Sequence, residues 1–230
     1  PTITGVTVAD GTYKIGDTAT VTITAGNSET GLTVSSATFN GQTLSSLTDA
    51  GGGSYTGVYT VVEGNTDVAD GGAAVVSLAF TDAAGNVSGT TTAVTLSSES
   101  IDATKPTISG VSIADSAMNI GDVVTATITV GNAVGQVLTL SSGTLGGFTL
   151  GSLARVSDTS YTATFTVADG GTDVAAGADI PVSLVLADPA GNTSATYSTA
   201  ISQTSDSIDA NAPTITGVTV ADGTYKIGDT

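Results

Sequence analysis

Two aspartates stand where no hairpin calls for them. Asp102 lies in SIDATKPTISGV (Ser100–Val111) and Asp209 in SIDANAPTITGV (Ser207–Val218), each four residues before a proline. A second oxygen-rich motif also occurs twice, as DAAGN (Asp82–Asn86) and DPAGN (Asp188–Asn192). The remaining acids gather in two kinds of turn. ADGTYKIGD carries Asp10 and Asp17, and its later counterpart carries Asp115 and Asp122. EGNTDVADG carries Glu63, Asp67 and Asp70, and its counterpart carries Asp169 and Asp173. Carboxylates brought together repel unless a cation lies among them. Asp and Asn oxygens in flexible loops, with backbone carbonyls, suit Ca²⁺. Mg²⁺ asks for stricter octahedral geometry, and zinc for nitrogen or sulfur. The candidate ligands are therefore Asp102 and Asp209, the pairs Asp82/Asn86 and Asp188/Asn192, and Asp10, Asp115, Glu63, Asp67, Asp169 and Asp173. Any one of these acids is equally well explained as a turn former. Asp10-Gly11 and Gly16-Asp17 read as turns. The two DxAGN hairpins divide evenly between Asx-turn and ligand. Asp102 and Asp209 read as ligands, because a linker aspartate before a proline closes no hairpin.

Composition narrows the chemistry further. The 230 residues contain no Cys, His or Trp, and carry a net charge of −17 with only 4 Lys and Arg. Disulfides, thiolate metal sites and histidine-based catalysis are thereby excluded. So few cations cannot neutralise a phosphate backbone, so nucleic acid is no partner, and anionic membrane surfaces fit no better. No apolar run approaches the roughly 20 residues that span a bilayer, so no membrane insertion is expected. Pro1 opens directly on a strand-like segment, as expected of a piece of a larger protein. GGGSYTG (Gly51–Gly57) lacks the Lys-Ser/Thr and helix of a phosphate-binding loop and reads as a flexible surface loop. The acids fall in turns rather than a cleft, and no enzymatic activity is expected.

The elements that must position these acids come from repetition. PTITGV or PTISGV begins at Pro1, Pro106 and Pro213, with periods of 105 and 107 residues. Residues 213–230 match 1–18 letter for letter, whereas the second repeat differs from the first at many positions. The domains are thus 1–105 and 106–212, with 213–230 the first strand of a third repeat. Each repeat reads as about seven short strands with Gly, Asp and Asn at the turns. In the first they are Thr2–Val8, Thr18–Thr24, Leu32–Phe39, Gln42–Leu47, Tyr55–Val62, Val75–Phe80 and Ser88–Leu96. In the second they are Thr107–Ile113, Val123–Val130, Val137–Leu140, Phe148–Leu153, Ser160–Val167, Ile180–Leu186 and Thr193–Ile201. TATVTIT and YTATFTV alternate as half-buried antiparallel strands do. The fold class is all-β: tandem immunoglobulin-like β-sandwiches arranged end to end. Rings expected in the cores are Tyr55, Tyr59 and Phe80, then Phe148, Tyr161 and Phe165. The topology places the acidic turns of repeat one, Asp102, and Asp188 with Asn192 of repeat two at one joint. It places Asp209 with the acidic turns of repeat two at the next, and leaves Asp82 and Asn86 without an incoming linker.

An inter-repeat I-D-x-x-x-P-T-I, the D-x-A-G-N turn and tandem Thr/Ser/Val/Asp-rich units together resemble the bacterial Ig-like extender repeats of large RTX adhesins. The resemblance covers essentially the whole chain. It implies calcium at and between domains, with ligand roles for Asp102, Asp209, Asp82, Asp188, Asn86 and Asn192. It implies type I secretion, a place on the bacterial cell surface, and a spacer role that projects a distal adhesion domain. The turn acids match less closely, since Asp70 becomes Ala176 and Glu63 becomes Asp169, and the glycine-rich RTX nonapeptide is absent. Partners expected are the neighbouring repeats of the same chain, in a monomeric rod stiffened by calcium. The alternative is a module that binds a glycan or host protein through exposed loops such as Thr48–Ser54.

Overall fold

Alternation decides the strands. In TATVTITA every second side chain (Ala19, Val21, Ile23, Ala25) is buried, while the threonines between them stay exposed or half-exposed. Such a period of two suits a strand with one face on a core and one in water. The computed structural model describes residues 1–202 and 205–230.

Repeat one holds β1 (Ile3–Val8), β2 (Gly11–Lys14), β3 (Thr18–Ala25), β4 (Thr33–Phe39), β5 (Gln42–Thr43), β6 (Ser45–Gly51), β7 (Ser54–Thr60), β8 (Ala73–Thr81), β9 (Thr91–Thr95) and β10 (Glu99–Asp102). One antiparallel sheet runs β1-β3-β7-β6 and the other β5-β4-β8-β9. Repeat two holds β11 (Thr107–Ser112), β12 (Met118–Asn119), β13 (Val123–Gly131), β14 (Thr139–Leu145), β15 (Phe148–Thr149), β16 (Ala154–Ser157), β17 (Ser160–Thr166), β18 (Val182–Ala187) and β19 (Ile208–Asp209). Its sheets run β11-β13-β17-β16 and β15-β14-β18. The chain is a tandem of immunoglobulin-like sandwiches. Each first strand pairs within its own repeat, β1 with β3 and β11 with β13.

The six expected rings are buried, and Phe39 joins them, tilted against Tyr59 at 4.9 Å between centroids. Tyr55 and Phe80 meet at 4.7 Å, and Phe148 stacks on Phe165 at 5.7 Å. Aromatic pairs at such spacings add to the area they bury. Two hydroxyls close corresponding loops. Tyr55 accepts from the Leu32 N–H at 2.9 Å and donates to the Glu29 carbonyl at 3.2 Å. Tyr161 accepts from the Leu138 N–H and donates to the Gln136 carbonyl at 2.9 Å.

Several elements differ from expectation. Residues 51–57 are no flexible loop: Gly51, Gly52 and Gly53 form a tight turn at φ of +86°, +62° and +80°, and Ser54 opens β7. Gly57 is buried, and only glycine fits there, since an added Cβ would lie 2.9 Å from Leu47 Cδ2. Thr48–Ser54 is likewise part of the β6–β7 hairpin rather than a loose loop. Gln42–Leu47 divides between β5 and β6, and Phe148–Leu153 shrinks to β15, because the chain crosses from one sheet to the other there. Thr193–Ile201 forms only isolated bridges, Ala187↔Thr193, Leu184↔Tyr197 and Ile180↔Ile201. The largest revision is at the linkers. Glu99–Asp102 is a strand, paired in parallel with β2 in the register Ile101↔Tyr13 and Asp102↔Lys14. Ile101 and Ala103 are 3% and 0% exposed, so the I-x-A alternation is a core pattern of the preceding sandwich. β12 and β19 repeat the arrangement.

Candidate functional site at the domain joint

Asn192 lies at the centre of the first joint. The DPAGN hairpin closes on itself: Gly191 sits at φ +92°, and the Asp188 carboxylate accepts from the Asn192 backbone N–H at 2.8 Å and its amide at 3.0 Å. That much is local and repeats in DAAGN, where Asp82 takes both bonds from Asn86 at 2.8 Å. The tertiary contacts do not repeat. Asn192 Nδ2 also donates to the carbonyl and to Oδ1 of Asp102, each at 3.1 Å. Its Oδ1 accepts from the Ile15 N–H at 2.8 Å, 177 residues away in sequence. One amide thus ties β10 and the turn after β2 to the hairpin of repeat two. Asp188 and Asn192 are each 4% exposed, whereas Asn86 lies open to solvent.

Three oxygens from two domains converge on one nitrogen that has two hydrogens to offer. Two of those oxygens belong to carboxylates. The electrostatics match the crowding. Burial raises the pKa of Asp102 above the ordinary carboxylate value, and the nearby charges of Asp188 and Asp67 raise it further, although the Thr104 N–H opposes them. Asp82 has no such neighbours, and its bonds from Asn86 and the Ala84 N–H hold its pKa below the ordinary value.

The other candidates are engaged differently. Asp67 accepts from the Ala103 N–H at 2.7 Å, which fixes the chain as it leaves β10. Asp173 does the same for Ala210 at 2.7 Å and also takes the Asn211 amide at 2.8 Å. Asp209 accepts from the Asn211 N–H at 3.3 Å, and Asp169 faces the Ala212 N–H at 3.5 Å. Asp10 and Asp115 are exposed. Glu63 is paired with Lys105 at 2.7 Å, so its charge is already met. Among the described residues, no three of the acids stand close enough to hold a metal ion together. Asp17 and Asp122 close turns on the N–H groups of Lys14 and Asn119 at 3.0 and 2.7 Å.

Sequence reasoning passed over the two lysines. Lys105 lies on the crossing segment, and the stem of Lys14 covers Gly191, whose Cβ would lie 3.4 Å from Lys14 Cδ. With Ile15, Glu63, Asn192 and Thr193 they line a cleft of about 240 Å³. Asp67, Asp102, Gln136 and Pro189 border a second cleft of about 470 Å³. Setting the two repeats side by side reveals the signal. Lys14 becomes Asn119 and Lys105 becomes Ala212, so the second joint carries the acids without either cation.

Each of the two sandwiches matches a family profile that describes a bacterial Ig-like domain, over residues 1–99 and 102–207. The chain belongs to the bacterial Ig-like domain family. Solved structures similar to it include the fibronectin(III)-like modules of Clostridium thermocellum CbhA, at 18% identity and a TM-score of 0.35, covering 88% of this chain and 95% of that one. The Escherichia coli adhesin FdeC follows at 21% and 0.36, covering 88% and 63%. The Yersinia pseudotuberculosis adhesin InvE is similar at 18% and 0.31, covering 87% and 62%. The chain therefore spans somewhat under two thirds of either adhesin structure. No curated protein matches it. No helix among the described residues is long and apolar enough to cross a membrane.

Proposed function

We propose that this pair of bacterial Ig-like domains is a spacer of a bacterial cell-surface adhesin, and that calcium stiffens its joints. The supporting observation is the convergence of the Asp102 carbonyl, the Asp102 carboxylate and the Asp188 carboxylate on one amide between two domains. The donor set fits the ion: every candidate ligand atom is a hard oxygen, and His and Cys are absent. Asp102 and Asp188 would hold the ion, with the Asp102 carbonyl as a third oxygen. When bound, it would supply the positive charge that one amide provides only in part. The residues themselves set the angle of the joint. Asn192 and Ile15 fix the two domains against each other, and Asp67 fixes the exit of the chain.

The second joint needs the ion more than the first, because Asp169, Asp173 and Asp209 stand there without counterparts of Lys14 and Lys105. Export to the cell surface by a type I system and projection of a distal adhesion domain belong to the same reading. A rigid string of copies serves reach, and each repeat adds roughly 35 Å on the scale of a 100-residue domain. Small-angle scattering with calcium and with chelator tests the reading, together with calorimetric titration of the chain. Calcium binding in the range of about 10⁻⁴ to 10⁻³ M, typical of extracellular modules, with a longer maximum dimension in calcium, is the expected result. Unchanged dimensions and no binding heat at 10 mM calcium, roughly tenfold above that range, would refute it.

A further inference from the structure

The parallel pairing of β2 with β10 continues past the strands themselves. In a parallel ladder the bonds are evenly spaced, and each strand bonds through every second residue. The Gly11 N–H donates to the Ser98 carbonyl at 3.4 Å, and at the matching place in repeat two the Met118 N–H donates to the Ser207 carbonyl at 2.8 Å. With Gly11 opposite Glu99 and Lys14 opposite Asp102, that offset runs on through Tyr13 to Ile15, whose acceptor in the series is the Asp102 carbonyl. The side-chain amide of Asn192, from repeat two, lies between those two groups. The Ile15 N–H donates to its Oδ1 at 2.8 Å, and its Nδ2 donates to the Asp102 carbonyl at 3.1 Å. A carboxamide carries the donor and acceptor of a peptide group, so it extends the ladder by one rung.

The position of that rung matters because of how tension crosses repeat one. β2 is bonded only to β10. β10 is also held on its other side, where Ile101 and Val68 exchange two N–H···O bonds at 2.8 Å. A pull along the chain reaches β2 at Gly11 and leaves β10 at Asp102, the opposite ends of the ladder. Parallel strands drawn in this way slide past each other, and all the rungs must yield together. Strands drawn from the same end would open one rung at a time. We propose that the β2–β10 ladder is where repeat one resists tension and that Asn192 is its last rung, so that repeat one holds harder while repeat two is docked on it. Under a pull Asn192 moves with the exit end of β10, so the bond that tension must break is the one from Ile15. No metal enters this coupling, which stands apart from the calcium reading.

The chain has no cysteine, so an introduced pair gives two unique attachment points for force handles. Asp10→Cys and Thr107→Cys, both at exposed positions, put tension on β2 and β10 and leave repeat two unloaded. In chelator and at constant force, repeat one should yield in a single step of about 300 Å, the extended length of about 90 residues. Adding Asn192→Ala should raise the rate of that step about fivefold, which is about 1 kcal/mol of barrier and the worth of one neutral bond. A second pair, Thr48→Cys and Thr92→Cys, draws β6 away from β9 across the sandwich and leaves β2 and β10 out of the path. In that direction Asn192→Ala should leave the rate unchanged within about twofold. A generally weakened fold raises the rate in both directions, whereas a lost rung raises it only in the first. An unchanged rate between the Asp10→Cys and Thr107→Cys handles, or an equal rise in both directions, overturns the proposal.

Discussion

Replacing Asn192 with Ala separates a joint from a turn. Asn86 occupies the same place in its own hairpin and makes the same bonds to its aspartate, but it touches no other domain. Subtracting the effect of Asn86→Ala from that of Asn192→Ala therefore leaves the inter-domain contribution. That contribution is one bond from the Ile15 N–H at 2.8 Å and one shared donation to Asp102, whose acceptors lie at 3.1 Å. A neutral bond is worth about 1 kcal/mol and a bond to a charged group about 1.5–3 kcal/mol, so the difference is about 2.5–4 kcal/mol. Unfolding of either repeat breaks the joint, so the loss falls on the first transition in urea. With a denaturant slope of about 2 kcal/mol per molar, its midpoint drops by about 1–2 M more in Asn192→Ala than in Asn86→Ala. The assay is urea unfolding of the whole chain followed by circular dichroism, in chelator to exclude metal effects. Equal midpoint shifts for the two variants would show that Asn192 serves only its own hairpin, and that nothing built holds the two domains together there.

Three further outcomes are expected. Asp102→Asn should act with opposite sign in two buffers: in chelator it relieves repulsion from Asp188 and Asp67 and raises the melting temperature, while in titration it weakens calcium binding about tenfold, or roughly 1.4 kcal/mol; the same sign in both buffers would refute a ligand role. The pH profile in chelator follows from the same shift. A carboxyl whose pKa is raised on folding binds protons more readily when folded, so stability falls as pH rises from its ordinary value of 3.8 through the raised value. Asp49, Asp82 and Asp158 have lowered pKa values, so their contribution is present above 3.8 and is lost as pH falls below it. Melting scans should therefore peak near the ordinary carboxylate value, where the two windows meet, and the fall toward neutrality should vanish in Asp102→Asn. Finally, Tyr55→Phe and Tyr161→Phe should each lower stability by about 1–3 kcal/mol in chemical unfolding, because each leaves a buried N–H, of Leu32 or Leu138, without its acceptor.

Much of this molecule was legible in its letters. A period of two fixes which face of TATVTIT and YTATFTV turns inward, and a period near one hundred fixes the tandem, because both depend on neighbours close in sequence or on simple repetition. The meeting of Asp102 with Asp188 and Asn192 also followed, since topology dictates which pole each turn occupies. What the letters left open was settled through space. DAAGN and DPAGN read alike, yet one is exposed and the other buried, because burial depends on whether another domain lies above it. Glu63 read as a ligand, but Lys105, 42 residues onward, lies within 2.7 Å of it. SIDATKP read as a linker, but an open edge on β2 draws Glu99–Asp102 in as a strand and buries Ile101 and Ala103 in the core. Local pattern sets the conformation a segment prefers, whereas the charge or the edge that a side chain finally meets is a property of the assembled fold.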